Sequence, residues 1–549
     1  MDRWPRRSLF GATLHWLVTI QYAGTVVRLA DDHLDVESDD GWLHYDGALI
    51  DPIALETILG DPGTLSDPPS VSVSAVWPVN VPLLVSRGHE IAGAEAEVAQ
   101  WREGDPWEQR RVVLLGRLAD PEYGAEDEPV TCSIEESMVD DAGIIPDPAV
   151  VLSTTAWPGV VDAALGLACP TILGQPGSAG SAAVPATPAY MVVQTPGSEK
   201  VLVAGHRVDA TYVCIFAIRG DARLSIPLPV IQDTDGLGRT VTTVDISGTG
   251  LAFDDMADDG SGTAVPVSFA DPSNTFYAAW GDAAGGSGGG LVDRQREGGL
   301  RRAGGLLQWM LEQSTLRWDR GRMAAAATGL DAFFIDSVIE EGVSPAEWVT
   351  STLLRLLPVA LMPGPQGIRP VVWRWTARPS DAVVHIDIDT LPDAERLGPM
   401  TADTSAIYNR FDLRYALDNH TGEMTRHVLL DATRDASDPE TAESLLCRVS
   451  QARYGVRTLS TEAHVVYDPA TAGRIVRSWA ASRCFPGRRL RYALPPELRW
   501  LDLGDVVTLS DQELYLADQV CLVAGIRETE EDRVEVTLRL VDDPTRRRA

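Results

Sequence analysis

The sequence predicts an α+β protein that is mainly β, with two similar β-barrel-like domains, a helical middle segment and a loop-rich β insertion. Its 549 residues exceed what one hydrophobic core supports, so several domains are expected. Short runs of alternating apolar and polar residues recur near both ends of the chain, which is typical of half-buried strands. Capped segments with helical periodicity begin only after residue 299.

Residues 1–145 are predicted to form the first β-barrel-like domain. Val71, Val73 and Ala75 alternate with serines, and the apolar residues of 94–98 alternate with glutamates. Alternate side chains of a strand share one face. These segments are therefore expected to bury their apolar residues on one side of a sheet.

An echo between the two ends of the chain predicts a second, similar β-barrel-like domain at residues 376–549. The run VVLLGRL at 112–118 precedes an acidic loop and an alternating run. The run VCLVAGI at 520–526 also precedes an acidic turn, which is followed by strict alternation at 534–540. The repeated order predicts two related β-domains in one chain.

Residues 146–298 are predicted to be an insertion of short strands, because glycine, proline, serine, threonine and alanine dominate between the apolar runs. The glycine-rich stretch at 285–290 is typical of a flexible linker at the end of this insertion.

Helices are predicted in the connecting domain, residues 299–375. The sequence SPAE at 344–347 has the residues of a capping box, with proline at the first helical position, and this helix would end before Pro358. Apolar residues at helical spacing predict an earlier helix: Leu307, Met310, Leu311 and Leu316.

The second β-domain is expected to contain two helices, each starting at an Asp-Pro pair, at 438–439 and at 468–469. Gly455 would end the first of them. After these helices, apolar residues near two-residue spacing on both sides of Gly504-Asp505 predict two short strands that meet at a bend, namely Leu501, Leu503, Val507 and Leu509.

Composition limits the classes of function. The chain has 46 Lys+Arg against 79 Asp+Glu, a net charge of −33, and this disfavours nonspecific nucleic-acid binding, which needs clustered cations. Such acidity is also compatible with a halophilic source. No apolar run reaches the roughly 20 residues of a membrane span. The apolar N-terminal run is interrupted by His15 and Thr19, so strands rather than a signal peptide are expected there.

The cysteines are far apart in sequence and form no C-x-x-C pair, so we expect reduced, mostly buried thiols, with disulfides as the alternative. They are Cys132, Cys169, Cys214, Cys447, Cys484 and Cys521.

The order of these predicted strands, helices and turns resembles that of the baseplate hub, or tail hub, protein of tailed bacteriophages and related phage-like particles. The resemblance covers residues 300–545 well and 16–136 more loosely, whereas the insertion has no match. It rests on several segments in combination: Leu356-Leu357-Pro358; Ile407 to Phe411 before Tyr415 and a Thr-Gly turn; Tyr454-Gly455-Val456; the Asp468-to-Trp479 helix; Leu503 to Val507 with its hairpin; and, in the first domain, Arg87-Gly88-His89, Glu95 to Trp101 and Gly116-Arg117-Leu118.

This resemblance implies a structural virion protein at the tail tip or baseplate, made in the bacterial host cytoplasm. It implies a homotrimer whose two β-domains alternate in a pseudo-sixfold collar, adapting the sixfold tail tube to the threefold tip. The implied partners are the distal tail protein or tail tube, the tape-measure protein and tail-tip spike or fibre proteins. DNA would pass through the lumen without specific binding, because an acidic lining repels phosphates at short range.

The sequence contains no H-E-x-x-H, no P-loop and no strand-to-helix G-x-G-x-x-G motif. Residues 285–289 formally match the G-x-S-x-G nucleophile motif but lack the flanking strand and helix. The acidic run at 254–260 looks like a calcium loop, yet Ala257 occupies a ligand position. No catalytic residue, cofactor or metal ligand is therefore assigned, and no membrane insertion is expected.

Three further pairs of residues could have a catalytic or ligand-binding role, but a structural role is preferred for each pair. Paired acids on a strand could serve a glycosidase, isolated histidines could transfer protons, and tryptophans around a turn could line a sugar site. The alternative functions are accordingly a tail-associated cell-wall or polysaccharide hydrolase and a secreted carbohydrate-binding β-protein. The residues are Asp387 and Asp389, His89 and His206, and Trp101 and Trp107.

Overall fold

The chain folds mainly as β-structure, as the sequence predicts. The computed structural model describes residues 13–541, except 67–68, 126–127, 137–142, 180–181, 196, 221, 248, 250–256, 259–263, 266–274, 282–287, 292–299, 433–441 and 529–532. No helix in the described part of the chain has both the length and the apolar character that a bilayer crossing requires.

An eight-stranded mixed sheet forms the N-terminal region. Its elements are β1 (Leu14–Tyr22), β2 (Thr25–Ala30), β3 (Leu34–Ser38), β4 (Gly41–Gly47), β5 (Leu55–Ile58), β6 (Ser70–Ala75), α1 (Val81–Ser86), β7 (Glu95–Arg102), β8 (Arg111–Glu122) and β9 (Val130–Glu136), with a 3₁₀ turn at Trp107–Gln109. The strand order is β3-β4-β2-β1-β7-β8-β9-β6, and β5 is absent from this order. The alternating segments predicted around residues 71–75 and 94–98, and the alternating run predicted after 112–118, are confirmed as β6, β7 and β9.

Alternation decides which face of this sheet is buried. Along β9, Val130, Cys132 and Ile134 are buried, whereas Thr131 and Ser133 are partly exposed. The buried side chains join a core that also contains residues of β1, β2, β6, β7 and β8. Burial of a large apolar side chain contributes about 1.5–3 kcal/mol, so the period of two fixes the orientation of the strand.

A closed six-stranded barrel lies within the segment predicted to be an insertion. The elements are β10 (Thr171–Leu173), β11 (Ser178–Ala179), β12 (Ala182–Ala183), β13 (Thr187–Thr195), β14 (Ser198–Ala204), β15 (Tyr212–Arg219), β16 (Ala222–Thr234), β17 (Thr240–Asp245), β18 (Ala257–Asp258), β19 (Ala264–Val265) and β20 (Thr275–Ala279), with a 3₁₀ turn at Asp162–Ala164. The barrel order is β13-β14-β17-β16-β15-β20. Trp280 is fully buried against it and donates its indole N–H to Thr187 Oγ1 at 3.0 Å.

The helical middle contains α2 (Ala303–Gln313), α3 (Arg320–Leu330), β21 (Ser337–Ile339) and α4 (Pro345–Trp348), which continues into a π turn at Val349–Leu353 and a 3₁₀ turn at Leu354–Leu356. The predicted caps are real, because the Ser344 hydroxyl accepts the Glu347 N–H at 3.0 Å. The helix predicted after Ser344 is confirmed and ends before Pro358, although its turns change from α to π at Val349 and to 3₁₀ at Leu354. Thr350 and Ser351 donate to the carbonyls of Ala346 and Glu347, and such side-chain bonds compete with the regular ladder.

The C-terminal region contains a large sheet and a separate three-stranded sheet. Its elements are β22 (Val359–Met362), β23 (Arg369–Val372), β24 (Val384–Asp387), β25 (Glu395–Arg396), β26 (Thr401–Asp403), β27 (Arg410–Asp418), β28 (Glu423–Leu430), α5 (Ala442–Tyr454), β29 (Thr458–Ala463), α6 (Pro469–Arg483), β30 (Gly487–Leu494), β31 (Val506–Asp511), β32 (Leu516–Glu528) and β33 (Val534–Leu540), with 3₁₀ turns at Pro379–Asp381 and Pro496–Leu498. The large sheet runs β24-β31-β32-β33-β30-β25, and the small sheet runs β28-β27-β29.

One hydrophobic core joins the helical middle to the three-stranded sheet. Met310 of α2, Leu413 of β27 and Ile475 of α6 are all fully buried within it. Helix α6 begins as predicted, because the Asp468 carboxylate accepts the Thr471 N–H at 2.7 Å. The helical middle and the three-stranded sheet are therefore stabilised by one common core, although the sequence assigns them to two different predicted domains.

Some local predictions were wrong. Leu316 lies beyond the end of α2, whose C-cap is Ser314, because the polar residues after Gln313 end the apolar period. Leu501 and Leu503 lie outside any strand, with Leu503 in the turn at Gly504. The predicted start of α5 at 438–439 lies outside the described residues, whereas its end at Gly455, with φ +71°, is confirmed.

The cysteine prediction agrees with the structure, in which all six side chains are buried free thiols. Burial raises the pKa of Cys132 and Cys169 to about 11. They are therefore protonated near neutral pH, which keeps them unreactive.

Candidate functional site at the junction of the two large sheets

Strand β5 connects the N-terminal region to the C-terminal sheet. It pairs antiparallel with β32, with Leu55 opposite Glu528, and the Leu59 N–H donates to the Ala524 carbonyl at 2.8 Å. Buried backbone groups must be paired, so this register fixes the two regions against each other. We call this contact the junction, which comprises residues 55–61, 111, 489, 524–528 and 539.

An ion pair between Arg111 and Glu528 lies at one end of the β5–β32 pairing. Arg111 begins β8 of the first sheet, and Glu528 ends β32 of the second. Arg111 Nη1 donates to Glu528 Oε1 at 2.6 Å, with only 14% and 5% of the two side chains exposed, and it also donates to Gln100 Oε1 at 3.2 Å. Removing one partner of such a pair leaves a buried charge without compensation.

A cavity of about 470 Å³ opens beside the junction, and its lining includes Arg483, Arg489 and Arg539 together with the acids Asp61 and Asp403. Asp61 Oδ1 accepts from Arg539 Nη1 at 2.9 Å and lies 3.6 Å from Arg489 Nη2. The Arg539 guanidinium also lies 4.7 Å from the ring centre of Trp375, a cation–π arrangement. Burial lowers the pKa of Arg483, which lines the same cavity. Three guanidinium groups and two carboxylates thus lie close together around this cavity.

The Gly-Asp turn before β31 positions the second sheet. Gly504 has φ +81°, and a Cβ at this position would lie 2.5 Å from Val371 Cγ1. Glycine is therefore required both by the backbone conformation and by the close approach. The Gly504 N–H donates to the Val523 carbonyl at 2.8 Å, and the Asp505 carboxylate accepts the Asp502 N–H at 2.9 Å.

Asp502 ties this turn to the helical middle. Its carboxylate forms ion pairs with Arg322 of α3 (Nη2 to Oδ2, 2.6 Å) and with Arg369 of β23 (Nη1 to Oδ1, 3.1 Å). Hydrogen bonds between charged groups are shorter and stronger than neutral ones. The role assigned to the Gly-Asp sequence is accordingly architectural, with the acid on each side of the glycine making a defined contact.

The candidate glycosidase acids are not placed as a catalytic pair. Strand β24 ends at Asp387, so Asp389 lies beyond it. Asp387 Oδ1 accepts the Asp389 N–H at 3.1 Å, and Asp389 Oδ2 accepts the Gln512 N–H at 2.9 Å. The Asp387 carboxylate thus stabilises the turn that follows β24, whereas the exposed Asp389 bonds to the turn between β31 and β32.

The two candidate tryptophans pack into the first sheet instead of lining an open sugar site. Trp101 is buried and donates its indole N–H to the Asp105 carbonyl at 2.7 Å. Trp107 donates to Tyr45 Oη at 2.8 Å, and the Arg110 guanidinium covers its ring at 3.3 Å. Both ring systems are therefore already occupied by protein contacts.

The candidate histidines occupy different environments. His89 is exposed in the turn after α1, where its carbonyl accepts the Tyr22 hydroxyl at 3.0 Å. His206 Nε2 accepts the Ile172 N–H at 2.9 Å while Nδ1 lies 2.8 Å from the Arg207 carbonyl, which places the ring proton on Nδ1. Burial lowers the pKa of His206 to about 4, so the ring is neutral and structural at neutral pH.

Two sequence candidates cannot be placed. Most of the G-x-S-x-G stretch, including Ser287, and most of the acidic run at 254–260 lie outside the described residues.

Comparison with known proteins points to phage tails. Residues 418–526 match the model of a family described as "putative phage tail protein". This segment is about one fifth of the chain, and it runs from the β27–β28 turn through α5 and α6 into β32. The chain is thus similar to phage tail proteins over a segment that includes the Gly504 turn and part of the junction. No curated protein matches the chain.

Solved structures of tail proteins also resemble the chain at low identity. A tail protein from Neisseria meningitidis is 10% identical, with 96% of this chain and 97% of that chain covered and a TM-score of 0.37. The 43 kDa tail protein of prophage MuSo2 from Shewanella oneidensis is 10% identical, with 96% and 99% covered and a TM-score of 0.36. A chain of the virion of a native gene transfer agent particle is 13% identical, with 71% and 88% covered and a TM-score of 0.35. These scores do not establish a shared fold.

Sequence reasoning missed the junction, because a pairing between residues 55–58 and 525–528 leaves no local signature. It also missed a cluster of His33, His44 and Asp46 in the β3–β4 hairpin. The available signal was the two-residue spacing of His44 and Asp46, which places both on one face of a strand.

Proposed function

We propose that this chain is a structural protein of a phage tail that forms the trimeric hub of the tail tip or baseplate. The observation that carries the proposal is the match of residues 418–526 to a phage tail family. In this role three copies adapt the sixfold tail tube to the threefold tip and surround the DNA-exit channel. The partners are the distal tail protein or tail tube, the tape-measure protein and a spike or fibre.

The architecture supports a role in assembly. The two large sheets are locked together by β5 and by the Arg111–Glu528 pair, so one copy can transmit load between its halves without a flexible hinge at the junction. Among the residues that the structure describes, β3 pairs on one side only, with β4, and an edge strand of this kind favours strand addition from another chain.

Exposed aromatic residues supply candidate contacts between copies. Trp42, beside the edge strand β3, is 71% exposed, and Tyr515, in the β31–β32 turn, is 96% exposed. Aromatic side chains are enriched at protein interfaces because they bury a large area with few rotatable bonds. We therefore place inter-subunit contacts at these two positions.

The net charge of −33 fits passage of DNA. Carboxylates repel phosphates within about a Debye length, roughly 8 Å at physiological ionic strength, so an acidic lining lowers friction without a binding site. The arginines of the cavity are balanced in part by Asp61, which pairs with Arg489 and Arg539, and by Asp403 in the same lining, so the cavity is assigned to packing and not to DNA.

Light scattering of the purified full-length chain during size-exclusion chromatography tests the hub. A trimer of the 59.3 kDa chain, abolished by the combined substitution Trp42→Ser/Tyr515→Ser, is the expected result. The matched control is Leu429→Ser, which removes another exposed apolar side chain away from both positions. A monomer at all concentrations would contradict the hub, and clearing of a peptidoglycan zymogram would favour the hydrolase alternative.

A further inference from the structure

The β3–β4 hairpin brings two histidines and an aspartate together. His33 lies just before β3, whereas His44 and Asp46 lie on β4 with their side chains on the same face. The two imidazole rings stack with their centroids 6.2 Å apart and only 11° between their planes. One ligand atom from each of the three residues lies within 4.8 Å of the others, which is close enough for a single ion to contact all three.

Hydrogen bonding orients His44 for coordination through Nε2. Its Nδ1 lies 3.0 Å from Asp35 Oδ1, which requires the ring to donate its Nδ1 proton to that carboxylate. The opposite nitrogen, Nε2, lies 3.4 Å from Asp46 Oδ1. A carboxylate that holds the far nitrogen of a ligating histidine is a common feature of zinc sites, because it fixes the ring and raises the basicity of the ligand nitrogen.

We propose that His33, His44 and Asp46 form a binding site for a divalent transition-metal ion, of which Zn²⁺ is the best fit, with Asp35 as a positioning residue. Two imidazoles and one carboxylate suit zinc and its borderline neighbours, whereas Mg²⁺ and Ca²⁺ prefer oxygen ligands alone. Three protein ligands leave one tetrahedral position for water. Nothing in the proposed structural role requires this ion, so the site stands apart from the hub.

The surroundings favour a cation. The Asp32 carboxylate accepts the His33 N–H and the Asp35 carboxylate bonds to His44, so both add negative charge beside the ligand set. No lysine or arginine lies between residues 31 and 46. A divalent ion would therefore reduce repulsion among the carboxylates as well as bind the imidazoles.

His33 must change one hydrogen bond to bind the ion. Its Nδ1 accepts the Gly47 N–H at 3.1 Å, which leaves the ring proton on Nε2. Coordination through Nε2 moves that proton to Nδ1, and the Gly47 amide then bonds to water instead. His33 is exposed, so solvent is available, and a dissociation constant in the micromolar range is expected rather than that of a buried structural zinc.

Calorimetric titration of ZnCl₂ into the full-length protein, prepared without a histidine tag and stripped with a chelator, tests the site. One equivalent should bind, and His44→Ala and His33→Ala should each weaken binding at least tenfold. Asp35→Asn should weaken it by about 10–100-fold, the usual effect of losing a second carboxylate partner. The control His427→Ala removes another exposed histidine, on β28, and should leave the affinity unchanged.

Cobalt provides an independent readout of the ligand set. Co²⁺ bound in place of Zn²⁺ should give visible absorption bands typical of tetrahedral coordination, and His44→Ala should abolish them. Circular dichroism of each variant checks the fold. Absence of saturable binding, or equal affinity in the wild type and in both histidine variants, would overturn the proposal. Tight binding of Mg²⁺ or Ca²⁺ in preference to Zn²⁺ would overturn the assigned metal class.

Discussion

Arg111 and Glu528 lie 417 positions apart in the chain, yet Arg111 Nη1 donates to Glu528 Oε1 at a distance of 2.6 Å in an almost fully buried contact. The pair connects the first strand-forming region to the last, directly beside the register of β5 on β32. The N-terminal and C-terminal sheets are therefore one mechanical unit, although hundreds of residues of barrel and helices lie between them in sequence.

Removal of Arg111 should destabilise the chain strongly. Arg111→Ala leaves the Glu528 carboxylate buried without its partner, and breaking a buried pair in this way costs about 3–5 kcal/mol. Because an apolar pair avoids the desolvation penalty, Arg111→Met/Glu528→Leu should recover most of this loss. Urea unfolding followed by tryptophan fluorescence measures both values.

A matched control for the junction is Arg414→Ala. Arg414 lies 3.9 Å from Glu462, and more than half of each side chain is exposed. Surface pairs of this kind contribute between about 0 and 1 kcal/mol. The control should therefore unfold at nearly the same urea concentration as the wild type. Similar losses for Arg111→Ala and Arg414→Ala would contradict the role assigned to the junction.

Substitution of Gly504 should separate backbone strain from steric overlap. Gly504→Ala places a Cβ 2.5 Å from Val371 Cγ1 at φ +81°, so it combines about 1 kcal/mol of backbone strain with about 1–3 kcal/mol of overpacking. Gly455→Ala is the control, because its φ is +71° but a Cβ there meets nothing within 4 Å. Thermal unfolding should show the larger loss at Gly504, and Val371→Ala should partly restore it.

The sequence predicted local structure better than long-range assembly. Alternation located β6, β7 and β9, and the caps at Ser344 and Asp468 were correct, because these signals depend on neighbouring residues. The echo of 112–118 and 520–526 corresponds to two antiparallel pairs, β8–β9 and β32–β33. The β5–β32 pairing was not predictable, since strand partners far apart in sequence carry no periodic signal.

The closed barrel was similarly hidden. The sequence showed only short apolar runs in a segment rich in glycine and proline, and barrel closure depends on which strand edges meet rather than on composition. At the candidate metal site, sequence spacing placed His44 and Asp46 on one face, but only the β3–β4 register brought His33 beside them.

His206 should make the protein less stable in mild acid. Burial lowers its pKa to about 4 in the folded chain, against an ordinary value of 6.5. The unfolded chain therefore binds the extra proton between these values, so stability is lost as the pH falls from about 6.5 to 4. His206→Gln can retain an acceptor for Ile172 and a donor for Arg207. The full pH-dependent contribution of His206 to the free energy of unfolding is about 3 kcal/mol. In His206→Gln this contribution should be absent, so the difference in stability between pH 7.5 and pH 4.5 should be smaller than in the wild type.

Glu136 should act in the opposite direction. Burial, partly offset by the Gly364 N–H and by Arg317 and Arg369, raises its pKa to about 7 from an ordinary value of 4.5. The folded chain keeps the proton while the unfolded chain releases it, so stability is lost as the pH rises from about 4.5 to 7. Glu136→Gln mimics the protonated acid, and its advantage over the wild type should grow across this range.

The two groups together predict an unusual pattern in single and double variants. Between about pH 4.5 and 6.5 the His206 contribution rises with pH while the Glu136 contribution falls, so they partly cancel in the wild type. In His206→Gln the free energy of unfolding should therefore fall as the pH rises, because only the Glu136 contribution remains. In Glu136→Gln it should rise with pH, and in the double variant it should show neither trend. Their separate locations, one in the barrel region and one at the end of β9, predict additive effects. Parallel pH profiles for all four proteins would contradict both assignments.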